Sequence, residues 1–67
     1  MEFSEKAKIR IEHWIHHNEH HNEDYEEFAK QLEGVGKSES AACIREMIDL
    51  TLKSTDCLKK ALDTLGQ

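Results

Sequence analysis

The chain has 67 residues, a formal charge of −5, five histidines, two cysteines, three glycines and no proline. That length allows one domain, and domains below ~70–80 residues bury too little surface to be secure without a staple or a partner. The acidic balance, with no stripe of clustered Lys and Arg, argues against nucleic acid as a partner, and no apolar run approaches the ~20 residues needed to span a bilayer.

The N-terminal stretch Met1-Glu2-Phe3-Ser4-Glu5 has no apolar segment of the kind a secretory signal carries. A cytoplasmic location is therefore expected, with Cys43 and Cys57 as reduced thiols. A first helix is predicted over about residues 4–33, with Ser4 as its N-cap and Glu5 in its first turn. The short basic stretch Lys6-Ala7-Lys8-Ile9-Arg10 reads as a solvated face of that helix. Ala7, Ile11, Trp14, Asn18, His21, Tyr25, Phe28 and Leu32 recur at alternating steps of four and three, the seam of a helical bundle. Trp14 and Tyr25, as seam residues, are expected to pack in the core. Ile15, Asn22 and Ala29 widen the same face. An alternative is a break near Asn18–Asn22, where Asn22 could cap a new helix at Glu23-Asp24; the unbroken seam favours continuity.

Gly34-Val35-Gly36-Lys37 forms the predicted turn, with Gly34 in the left-handed position that ends a helix. The stretch Gly34–Ser38 has the look of the tail of a phosphate-binding loop. Position 31 is Gln31 where the first glycine of that loop would be needed, and a helix precedes it in place of a strand. The second helix is predicted over about residues 38–65, capped by Ser38 or Gly36 and ended by Gly66. Its seam is Ala41, Ile44, Ile48, Thr51, Thr55, Leu58, Leu62 and Leu65. The short turn makes the helices antiparallel neighbours. Counting outward from it pairs Phe28 with Ile44, Tyr25 with Ile48, His21 with Thr51, Asn18 with Thr55, Trp14 with Leu58 and Ile11 with Leu62. The layers are apolar at both ends and polar in the middle, where the polar groups need partners or an ion.

A further stripe, Cys43, Met47, Leu50, Ser54, Cys57 and Ala61, lies beside the second seam. Two helices cannot cover that much apolar surface. The expected fold class is accordingly all-α: an antiparallel helical hairpin over residues 1–67 that dimerises into a four-helix bundle, as a homodimer, a homo-oligomer or a complex with a protein partner. Cys43 and Cys57 are ~21 Å apart along one helix and cannot bridge to each other.

All five histidines fall within residues 13–21, His-Trp-Ile-His-His-Asn-Glu-His-His. Residues four apart stack on one helix face, so His13, His17 and His21 form one row and His16 and His20 a second, flanked by Glu12 and Glu19. Neutral imidazole is the commonest ligand of Zn, Ni, Cu and Fe, and two histidines at i and i+4 can clamp one ion. No His-Glu-x-x-His occurs, so metalloprotease chemistry has no support, and no nucleophile–base pair points to an enzyme. His13 and His21 lie ~12 Å apart along the axis, so one straight helix cannot easily offer all three to one ion. The remaining ligands would come from the same residues of a second subunit, from Cys57 near the height of His17, or from carboxylates such as Glu23 or Asp24. A metal-free alternative leaves these histidines structural or pH-responsive, since protonated imidazoles crowd like charges together. His21 hydrogen-bonded to Thr51 would be one such structural role.

The run from His13 to His21, followed by Tyr25-Glu26-Glu27-Phe28-Ala29, resembles small prokaryotic helical domains with a His-Trp-x-x-His-Asn-x-x-His pattern and a downstream acidic-aromatic segment. The pattern falls on His13, Trp14, His17, Asn18 and His21. The resemblance implies metal handling, nickel among the candidates; the histidine rows themselves lead to the expectation of a protein that stores, senses or delivers a divalent transition metal, Zn or Ni, with His13, His17 and His21 as preferred ligands and His16, His20 and Cys57 in reserve.

Overall fold

The computed structural model describes residues 2–66; the end residues of the expected 1–67 domain, Met1 and Gln67, lie outside these. Two helices, α1 (Phe3–Gly34) and α2 (Ser38–Leu65), pack along each other as a hairpin measuring 51 × 17 × 10 Å. The first helix runs unbroken through the histidine block, so the seam prevails over the weak helix propensity of Asn and His.

The second helix ends at Leu65 with Gly66 closing it, as expected, and the other three helix ends depart from the expected caps. The first helix starts at Phe3 behind Glu2, and Ser4 lies inside its first turn. Gly34 stays helical, and Gly36 takes the left-handed conformation at φ 81°. The Lys37 amide donates to the Leu32 carbonyl at 2.8 Å and the Gly36 amide to Glu33 at 3.0 Å. That pair of bonds is a Schellman motif with Gly36 as its left-handed residue. Lys37 then precedes α2, and Ser38 is its first helical residue, with no side-chain cap.

The second helix buries the expected stripe. Ala41 and Thr55 are buried, and Ile44, Ile48, Thr51, Leu58, Leu62 and Leu65 are half-buried. In α1 the face is rotated at two layers. Ile15 and Ala29 are the buried residues, while Trp14 and Phe28, expected in the core, are 46% and 52% exposed. Ala29 and Ala41 are both fully buried, and small side chains at the layers nearest the turn leave no need for the ring of Phe28 between the helices. The wide aromatics are displaced to the flank. Tyr25 remains half-buried.

A middle layer holds the register. Asn18 Nδ2 donates to Thr55 Oγ1 at 3.3 Å, and Thr55 Oγ1 donates to the Thr51 carbonyl at 3.0 Å, as the layer count required. Thr51 bonds back to the Met47 carbonyl and is not the partner of His21. Toward the turn, Arg45 joins Glu26 at 3.2 Å and Glu33 at 2.6 Å. This ion cluster marks one broad side of the flat hairpin. By helical rotation of ~100° per residue, the opposite side carries Trp14, His17, His21 and Phe28 of α1 and the stripe from Cys43 to Ala61 of α2.

The hairpin covers little of itself. It exposes 5295 Å², whereas a compact chain of this mass exposes about 4,400 Å². Its radius of gyration is 15.6 Å, against about 11 Å for a compact domain of this length. No helix is long and apolar enough to cross a membrane, among the described residues.

Candidate metal centre

The i, i+4 row forms as expected, because an uninterrupted α-helix stacks such residues on one face. His17 and His21 rings stack with centroids 4.4 Å apart, and His21 stacks on Tyr25 at 5.7 Å. His13 meets His17 edge-on at 5.8 Å. Only His17 and His21 bring nitrogens together: their Nε2 atoms are 2.7 Å apart. One ring donates its N–H and the other accepts on a bare nitrogen, so a single proton lies between them. His21 is half-buried beside α2, and His13 and His17 are exposed.

The second row behaves differently. His16 Nδ1 lies 3.6 Å from Glu19, and His20 Nε2 lies 3.9 Å from Asp24, both exposed. These imidazoles face carboxylates on their own helix and do not join the His17–His21 pair. Cys57 is exposed on the outer flank of α2. Among the described residues no three His, Cys, Asp or Glu side chains converge as a metal-binding group.

The pair suits a borderline divalent ion. With metal–nitrogen distances of about 2.0–2.1 Å, tetrahedral coordination separates two ligand nitrogens by about 3.4 Å. To hold one ion the two nitrogens need to part by about 0.7 Å from their hydrogen-bonded spacing, and the stacked rings, whose planes are 26° apart, need to turn so that both lone pairs aim at it. To hold an ion at both Nε2 atoms, the donor ring would carry its proton on Nδ1 instead, so that both imidazoles are neutral, the form that ligates. Tyr25, stacked beneath His21, restricts that ring's tilt. Holding an ion, the pair would supply two donors and leave two positions of a tetrahedral shell to other ligands.

Three features were not foreseen from the sequence. The Arg45–Glu26–Glu33 cluster is one: the hydrogen bond that Arg45 donates holds the Glu33 carboxyl below its ordinary range, and donating to Glu33 and then to Glu26 holds Arg45 further toward its charged form. Its signal was available in the seven-residue spacing of Glu19, Glu26 and Glu33. The Tyr25 stack on His21 is the second, again readable as an i, i+4 pair. The third is Asn22, whose Oδ1 is buried without a hydrogen-bond partner.

A family model described as a domain of unknown function, DUF8180, matches residues 7–65. No curated protein and no solved structure matches the chain.

Proposed function

We propose that this chain, which belongs to the DUF8180 family, is a transition-metal-binding helical hairpin that stores, senses or delivers a divalent ion, Zn or Ni, and dimerises into a four-helix bundle. The observation that carries the reading is the His17–His21 pair, whose Nε2 atoms converge at 2.7 Å on an accessible face. His17 and His21 are the ligands, with His13 next in the row. His16, His20 and Cys57 are reserves, and Asn18 fixes the register of the helices beneath the site. The role is one of binding, without catalysis. Two exposed free thiols suit a reducing, cytoplasmic setting.

The test is metal uptake by untagged protein, compared with His17→Ala/His21→Ala. Stoichiometric Zn or Ni in the parent and none in the double variant, with helicity retained, supports the assignment. Equal uptake by both defeats it. A second reading, a metal-free module that docks a helix of another protein, is favoured by the exposure of Trp14, Phe28 and Leu50. A ligand that binds only the folded chain raises its stability; a melting temperature indifferent to Zn, Ni and chelator selects the second reading.

A further inference from the structure

We infer that the ion is shared between two copies of this chain, on a two-fold axis that crosses the hairpin at the height of Glu19 and Ser54, with His17 and His21 of both copies completing one four-imidazole shell. This rests on the metal-binding reading above and adds the partner, the register and the stoichiometry.

Three independent features are centred on the same height. The converging nitrogens belong to positions 17 and 21, whose midpoint is 19. A shallow apolar groove near the start of α1 is lined by Phe3, Lys6, Ala7, Arg10, Ile11 and Trp14. The exposed Phe28 lies on the same side of α1. Phe28 is nine residues, or about 13.5 Å, beyond position 19, and Arg10 in the groove is equally far before it. A two-fold axis there stacks the first helices antiparallel and drops Phe28 of each copy into the groove of the other. On α2 the Asn18–Thr55 contact sets position 54 level with position 19. The pairs Leu50/Cys57 and Met47/Ala61 are each centred within one residue of Ser54, so the same axis lays Leu50 against Cys57 and Met47 against Ala61, with the small Ser54 at the crossing. Self-complementarity of this kind is what an isologous interface requires.

The covered area suits a second copy. Two hairpins packed into one compact body of twice the mass expose about 7,200 Å², which hides roughly 3,300 Å² in total. That falls in the range of about 2,000–5,000 Å² typical of obligate homodimers. The Arg45 ion-pair side of each hairpin stays in solvent. Each chain alone leaves the shell half-filled, so the site is incomplete without the copy.

The experiment is sedimentation and native mass spectrometry of the full chain with added Zn or Ni and with chelator, together with oxidative cross-linking of Leu50→Cys in a Cys43→Ser background. The expected result is one ion per two chains and a dimer dissociation constant that rises at least tenfold in chelator. Position 50 should cross-link to Cys57 of the other copy. The parent chain should not cross-link, because the axis holds its own thiols out of register. One ion bound per monomer overturns the sharing but leaves metal binding standing, as does a dimer indifferent to chelator. Disulfide dimers in the parent, with none gained by Leu50→Cys, overturn the antiparallel register. Absence of any metal uptake overturns both this inference and the reading beneath it.

Discussion

Thr55→Val tests whether the middle layer works as a coupled pair. Valine keeps the shape of a side chain that is 3% exposed, so packing is preserved. The substitution removes the acceptor of the Asn18 bond at 3.3 Å and the donor to the Thr51 carbonyl. The Thr51 carbonyl keeps its helical partner, so the group left unsatisfied is the Asn18 amide. Stranding a buried donor costs about 1–3 kcal/mol. Asn18 is half-buried and its bond is long, which places the loss at about 1 kcal/mol, or a fall in Tm of about 4–8 °C for a chain of this size. Adding Asn18→Leu removes the stranded amide and places an apolar side chain against valine. Asn18→Leu alone leaves Thr55 its bond to the Thr51 carbonyl and is expected to cost under about 0.5 kcal/mol; the double variant is expected within about 0.5 kcal/mol of the parent or above it, giving a coupling energy of about 1 kcal/mol. The assay is thermal and urea unfolding followed by circular dichroism, in chelator and at one fixed chain concentration, since assembly makes Tm concentration-dependent. Losses that simply add in the double variant would refute the reasoning and show the two side chains to be independent.

The turn glycines are expected to respond in opposite directions. Gly36 has φ 81° with open space around it, so Gly36→Ala loses about 1 kcal/mol from backbone conformation alone; Gly34→Ala, helical and equally unobstructed, gains about 0.5–1 kcal/mol, and chemical denaturation of both checks the pair. Asn22→Leu removes a buried carbonyl oxygen without a partner and fills space beside Ile48; a rise in Tm is expected, and a fall would mean the amide has a partner in solution. Glu33 is held below its ordinary range by Arg45, so its contribution is present above the usual glutamate range and is lost as pH falls through the lower range of the folded state. The stability difference between the parent and Glu33→Gln should therefore close on acidification and, because the pair is exposed, shrink in high salt.

Period and punctuation made the hairpin legible: an apolar seam at steps of three and four, and a glycine pair between two such runs. The Asn18–Thr55 layer followed from counting outward from the turn, because an antiparallel register has one free parameter and the turn sets it. The orientation of α1 did not follow. Trp14 and Ile15 both sit near the seam, and size favours the tryptophan, but Ile15 is the one buried and Trp14 lies on the flank. Side-chain volume on one helix is judged against the facing helix, which a single periodic pattern leaves out. The left-handed turn residue was missed for a similar reason, since two glycines two residues apart fit the same motif and only the hydrogen bonds from Gly36 and Lys37 choose between them. In the histidine block the i, i+4 rows were legible. The distinction between a converging pair and carboxylate-facing passengers depended on rotamers, which spacing does not specify.

The polar middle also divides the hairpin into halves of unequal persistence. Toward the turn, Ala29 and Ala41 are sealed, Arg45 ties α2 to two glutamates of α1, and the chain itself holds the ends together. Toward the termini, Ala7, Ile11, Leu58, Leu62 and Leu65 are only half-covered, and nothing covalent joins the strands of the fork. Amide hydrogens in the open half should exchange through local fraying, while those near the turn exchange only on global unfolding. The Asn18–Thr55 bond stands at the junction of these halves, and it is the last tie between the two helices that fraying from the open end would reach before the Arg45 side.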